Sequence, residues 1–174
     1  MHISTFNSNP LIIAELIDLI LFCQNTEAHL GITMAEQPDV LTIPATYQAP
    51  GGDFWVACSP DRHVAGCIGL LRLTPTVAAL KKFFVYPQFR GRPTRLGWQL
   101  YATLLAAATA KGITRLVLDT PEAERRSHHF YERQGFIRCQ KADLGVDYHY
   151  PDRASRFYQL TIAANEKRTS TANG

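Results

Sequence analysis

No stretch of this chain stays apolar for long enough to cross a membrane. The longest, residues 11–23, is broken by Glu15 and Asp18 and falls short of the roughly 20 residues that a spanning helix needs. Lys and Arg are missing ahead of that stretch, so the charged front of a secretory leader is lacking too. The expectation is a cytoplasmic protein without a membrane partner. Cysteine is sparse and dispersed. Cys23, Cys58, Cys67 and Cys139 show no C-x-x-C spacing, which argues against a zinc site and a thioredoxin-type centre, and no metal is expected. They read as small buried hydrophobes. A hairpin allows Cys58 to face Cys67, but a disulfide is not expected in a reducing compartment. The net charge of +3 is too small to imply a nucleic-acid partner by itself. Internal repeats and low-complexity segments are also lacking.

What is present is enough apolar residue, 46% of 174, for one domain with a sizeable core. Residues 1–163 read as that single domain and residues 164–174, rich in Thr, Asn, Lys and Arg, as a flexible tail. Asn9 and Pro10 suit the cap and first position of a helix, and Ile13, Leu16, Ile17 and Ile20 carry it at helical spacing to about Gln24. Residues 25–52, punctuated by Pro38, Pro44 and Pro50, read as loop-rich with a second short helix at most.

Beyond Gly52 the pattern becomes β-rich. Residues 54–58 and 63–73 form an expected hairpin around Ser59-Pro60-Asp61-Arg62, and residues 77–86 a third antiparallel strand closed by Pro87. Gly97, Leu100, Tyr101, Leu104, Leu105 and Ala108 mark the strongest helix, stopped by Gly112. Residues 113–119 read as a buried strand, Thr120-Pro121 as the start of a helix ending at Gly135, and residues 136–139 and 156–162 as the last strands. The fold class expected is mixed α/β.

Between Lys81 and Arg95 stand Lys81, Lys82, Arg90, Arg92 and Arg95 and no carboxylate. Arg90, Arg92 and Arg95 fall in a Gly-bearing turn that opens a helix, where unpaired amides at the positive end of the dipole suit a phosphate or diphosphate. Arginine adds charge-assisted hydrogen bonds. A solvated basic loop is the plain alternative. A Walker A loop is excluded, because no G-K-[ST] follows.

Two segments resemble the GNAT acyltransferase superfamily. Phe83-Phe84-Val85-Tyr86-Pro87-Gln88-Phe89-Arg90-Gly91 is similar to the family's fourth strand entering its pyrophosphate loop. Phe130-Tyr131-Glu132-Arg133-Gln134-Gly135-Phe136 is similar to its F-Y-x-x-x-G-F signature. The likeness spans roughly residues 53–163 and implies a central, mostly antiparallel sheet flanked by helices, with acetyl-CoA bound between splayed middle strands. It implies that backbone groups of Phe83, Phe84 and Val85 pair with the pantetheine arm, and that amides and side chains of Arg90, Gly91, Arg92, Arg95, Leu96, Gly97 and Trp98 hold the diphosphate. Ser127 takes the place of a small cofactor-binding residue. Tyr131 lies near the thioester sulfur, where a phenol can protonate the leaving thiolate; an ordinary packing aromatic is its bland alternative.

The chain departs from the family at three points. Arg95 falls where a loop glycine is usual, Ala79 where a glutamate base is common, and Glu124 where an asparagine is common. The base is therefore open: His128, His129 or a water-mediated route can serve, and Glu36, Asp39 and His149 sit in loops that can border an acceptor pocket. The expected reaction is direct acetyl transfer to an amine of a small molecule or peptide, a cysteine acyl-enzyme having no support. A homodimer is compatible with this reading. The rival readings are a degenerate acyl-CoA sensor of the same fold and a module that binds anionic surfaces through residues 81–95.

Overall fold

Asn9 starts the first helix as its chemistry requires, its Oδ1 accepting from the Leu11 N–H at 3.0 Å with Pro10 at the first helical position. The computed structural model describes residues 1–151 and 154–163; the expected tail lies outside the described residues. The first helix, α1 (Pro10–Leu21), does not run on to Gln24 as a regular helix but widens into a π-helical turn over Phe22–Glu27. The expected loop-rich segment holds two short 3-10 turns, Met34–Glu36 and Pro38–Leu41, and a second π turn, Pro44–Gln48.

Seven strands make one sheet in the order β1-β2-β3-β4-β5-β7-β6. They are β1 (His2–Thr5), β2 (Asp53–Cys58), β3 (Val64–Arg72), β4 (Val77–Val85), β5 (Arg115–Pro121), β6 (Ile137–Cys139) and β7 (Ser155–Thr161). All neighbours are antiparallel except β4 and β5. The helix between those two is α2 (Leu96–Ala110), ended at Gly112 with φ +74°, so the parallel pair and its crossover form the expected strand-helix-strand unit. The mostly antiparallel sheet flanked by helices is therefore as expected.

Three expectations are corrected. A first strand, β1, precedes α1. Thr120 and Pro121 are the last residues of β5, and α3 (Arg125–Arg133) begins after Glu124. Cys58 does not face Cys67: the register sets Cys67 opposite Val56 and Cys58 opposite Val64, and all four cysteines are free.

Each face of the sheet has its own core. Leu16, Leu19 and Ile20 of α1 pack with Tyr47, Phe54 and Val56 on one side. Leu100, Leu104 and Ala108 of α2 pack with Ile68, Leu70 and Leu116 on the other, joined by Tyr131 of α3. Each buried leucine contributes roughly 1.5–3 kcal/mol, which fixes α2 firmly enough for its N-terminus to act as a rigid feature.

Candidate active site

β4 and β5 pair only through Val77 with Arg115, Ala78 with Leu116 and Ala79 with Val117. Beyond that rung, residues 80–85 and 118–121 have no ladder between them, and a cavity of about 650 Å³ opens in the gap. Phe83, Phe84 and Val85 line it from β4 and Asp119 from β5. Ala79, at the last shared rung, is fully buried and carries no group that can move a proton.

A β-bulge shapes the β4 wall. Cys67 pairs with Phe84 and Gly69 with Lys81, so Lys82 and Phe83 together oppose one residue of β3. Lys82 adopts φ +50°, a left-handed conformation that costs a non-glycine residue about 1–3 kcal/mol. Both lysines at the bulge are buried, each against its own partners. Lys81 Nζ donates to His149 O at 2.9 Å, lies 3.7 Å from Asp119 Oδ1 and sits over the Tyr148 ring. Lys82 Nζ donates to Gln37 Oε1 at 3.0 Å and lies 3.3 Å from Asp39 Oδ1. Burial holds the Lys82 pKa below the usual lysine range against the pull of Asp39. The covering loops meet where His149 Nε2 stands 3.1 Å from Glu36 O; Asp39 and His149 touch the two lysines, but Glu36, Asp39 and His149 do not themselves line the cavity.

At the other end lies the α2 N-terminus. Gly91 (φ +64°) makes the turn that a side chain would strain, and Arg95 N–H donates to Gly91 O at 2.5 Å. Arg95 occupies the cap position at φ 50° with no side-chain cap, and no acidic residue stands in the first turn. Among the described residues the N–H groups of Leu96, Gly97 and Trp98 have no backbone partner, which leaves a positive helix end facing the cleft. A Cβ on Gly97 would stand 3.5 Å from Phe83 Cζ, showing how closely helix and β4 approach. The Arg95 guanidinium stacks on the exposed Trp98 ring at 5.5 Å.

The structure sorts the expected residues. Phe83, Phe84, Val85, Gly91, Arg95, Gly97, Trp98, Ser127 and Tyr131 all line the cavity. Arg92 is exposed and does not line it, and the Leu96 side chain is buried in the core, leaving only its amide for the cleft. Arg90 lines the cavity, but its guanidinium is already bound to Glu27 at 2.7 and 2.5 Å and its Nε to Val85 O, while its amide donates to Pro87 O. Those bonds hold the Glu27 carboxyl below its usual range. His128 and His129 are outside the cavity: His129 is exposed, and His128 is buried with Nε2 3.0 Å from Pro121 O.

Tyr131 is 6% exposed and packs on Phe83 and Phe136. Its hydroxyl makes no hydrogen bond among the described residues. Burial first, then the charges of Asp119 and Glu124, push its pKa far up, so the phenol is held in its proton-donating form. Lys81, Lys82 and Asp119 were missed by the sequence reading as site residues. The available signal was two lysines interrupting an apolar strand and an aspartate ending another. Among the described residues no cluster of three or more His, Cys, Asp or Glu is placed to hold a metal, and no helix is long and apolar enough to cross a membrane.

The profile of the Acetyltransferase (GNAT) family matches residues 20–136. No curated protein matched the sequence. Among solved structures, an acetyltransferase from Streptococcus agalactiae 2603 is 48% identical, with 92% of this chain and 98% of that one aligned at a TM-score of 0.89. A GNAT-family acetyltransferase from Staphylococcus aureus Mu50 is 30% identical over 93% of this chain and all (100%) of that one, at 0.83. The PaiA N-acetyltransferase of Thermoplasma acidophilum, solved with coenzyme A, is 15% identical over 93% and 100% of the two chains, at 0.67, and shares the fold. With the parted strands, the uncapped helix and the buried tyrosine in one cleft, these matches establish that the chain belongs to the GNAT acetyltransferase family.

Proposed function

We propose that this protein transfers an acetyl group from acetyl-CoA directly to a primary amine. The observation that carries the reading is the parting of β4 and β5 after Ala79 and Val117, with Tyr131 on the wall of the resulting cavity. The residues fit the cofactor. Phe83, Phe84 and Val85 have no ladder partner on β5, which suits a pantetheine arm, with Val85 O already accepting from Arg90 Nε. The free amides of Leu96, Gly97 and Trp98, the turn at Gly91 and the Arg95 guanidinium suit a diphosphate. Ser127 lines the same wall.

Bound acetyl-CoA supplies an activated acyl group: the N–C bond forms, the C–S bond breaks, and the products are an amide and the free thiol. Tyr131 donates its proton to the departing sulfur. Asp119 accepts the amine proton, being the carboxylate on the β5 side of the gap, with its side chain only 13% exposed. Exchange with solvent restores both groups, so protons balance over a cycle. His128 and His129, outside the cavity, take no part.

Titration calorimetry with acetyl-CoA and a thiol-release assay over an amine panel test the reading together. Saturable binding with amine-dependent thiol release is expected. Absence of coenzyme binding would overturn it.

A further inference from the structure

We infer that the acceptor is an amine carrying a carboxylate, and that Lys81 and Lys82 hold that carboxylate at the inner end of the cavity. The inference rests on the acetyl-transfer reading and specifies its second substrate.

Both lysines line the cavity, yet they are only 7% and 8% exposed. Burying two neighbouring ammonium groups is unfavourable unless their charge and their N–H groups are answered. Their charge is answered by Asp119 and Asp39, but loosely. At 3.7 Å the Asp119 contact is beyond hydrogen-bond length, and at 3.3 Å the Asp39 contact is longer than a good charge-assisted bond. Each ammonium has three N–H groups, and among the described residues each makes one close hydrogen bond, to a neutral oxygen, His149 O at 2.9 Å or Gln37 Oε1 at 3.0 Å. Among the described residues donor capacity is therefore left over on both, beside a cavity, at a bulge where Lys82 adopts φ +50°. An arrangement this costly marks a functional site more often than a packing detail.

The chemistry of the ligand follows from the arrangement. Two ammonium groups on consecutive residues lining one cavity, each with spare donors, can take up the two oxygens of one carboxylate, while Asp119, on the same cavity, faces the amine of the same molecule. A polycationic amine would meet two fixed positive charges instead. The acceptor class is a small amino carboxylate, an amino acid or a close relative.

The test compares matched pairs on the unaltered protein saturated with acetyl-CoA: glycine, β-alanine, glutamate and phenylalanine against their amides, together with a polyamine. Thiol release is read alongside thermal-shift titration of the CoA complex. The carboxylates should show at least about 10-fold higher kcat/KM than the amides, since a site built to bond a polar group rejects the analogue lacking it. That preference should vanish in Lys81→Met and in Lys82→Gln, each checked for native CoA affinity. Equal or better use of amides or polyamine overturns the inference. So does a CoA complex that neither turns over nor is stabilised by any carboxylate. Loss of coenzyme binding itself would instead strike the acetyl-transfer reading.

Discussion

The Arg90 guanidinium holds the Glu27 carboxylate through both terminal nitrogens, at 2.7 and 2.5 Å, while its Nε bonds Val85 O at 2.7 Å. It thereby ties the end of β4 and the loop leading to α2 to the π turn after α1. Both side chains are about three-quarters buried, 24% and 26% exposed. Arg90→Ala and Glu27→Gln should each lower the melting temperature, with a double-mutant coupling of roughly 0.5–3 kcal/mol by chemical denaturation. Both should also weaken coenzyme binding, because the loop loses its anchor. Tighter binding in Glu27→Gln would show that a freed Arg90 meets phosphate directly.

Tyr131→Phe removes the phenol and little else, since the ring packs on Phe83 and Phe136 and the hydroxyl has no bonded neighbour among the described residues. Thiol release at saturating substrates should fall about 100-fold or more, the lower range for a lost general acid, with coenzyme affinity unchanged by calorimetry.

Arg95 gives a prediction with two opposite signs. Its φ of 50° is a conformation glycine adopts freely, so Arg95→Gly should stabilise the fold by up to about 1 kcal/mol. The same change removes the guanidinium beside the helix N-terminus and should weaken coenzyme binding several-fold. Urea melts and calorimetry on one preparation read both effects.

His128 sets an acid-side limit on stability. Burial holds its pKa below the ordinary 6.5, opposed by the bond with Pro121 O. The unfolded chain therefore binds more protons than the folded one between the folded-state pKa and about 6.5. The neutral ring's contribution is complete above that window and declines as pH falls through it. Denaturation of the native protein and His128→Gln across this range should show the difference between them shrinking on acidification.

Much of the fold was legible from local chemistry. Asn9-Pro10 and Gly112 bound helices where their conformational preferences require, and the Ser59 to His63 turn closes the expected hairpin through Ser59 N–H to His63 O at 2.8 Å. β1 was not legible because a four-residue edge strand that is mostly exposed has no apolar alternation to reveal it. Thr120-Pro121 misled because a proline suits a strand's end as well as a helix's start, and only the pairing of Pro121 with Ser155 decides between them. Most of the residues expected around the Gly91 turn and Tyr131 do line the cavity, because each of their two motifs is contiguous in the sequence. The lysine end was not legible, because Lys81 meets Asp119 and His149, and Lys82 meets Gln37, only through the tertiary packing of distant segments, although His149 is named from its loop.

The three-rung seam between β4 and β5 has a mechanical consequence. The strands on either side are stitched firmly to their own neighbours but share a short zipper at one end, so they form two leaves hinged like a partly opened book. A ligand bridging the open edge adds cross-bracing exactly where the protein's own ladder stops, and tightening should spread outward into both leaves. Slower amide exchange would then reach residues 80–85 and 118–121 together, even on the leaf that touches less of the ligand.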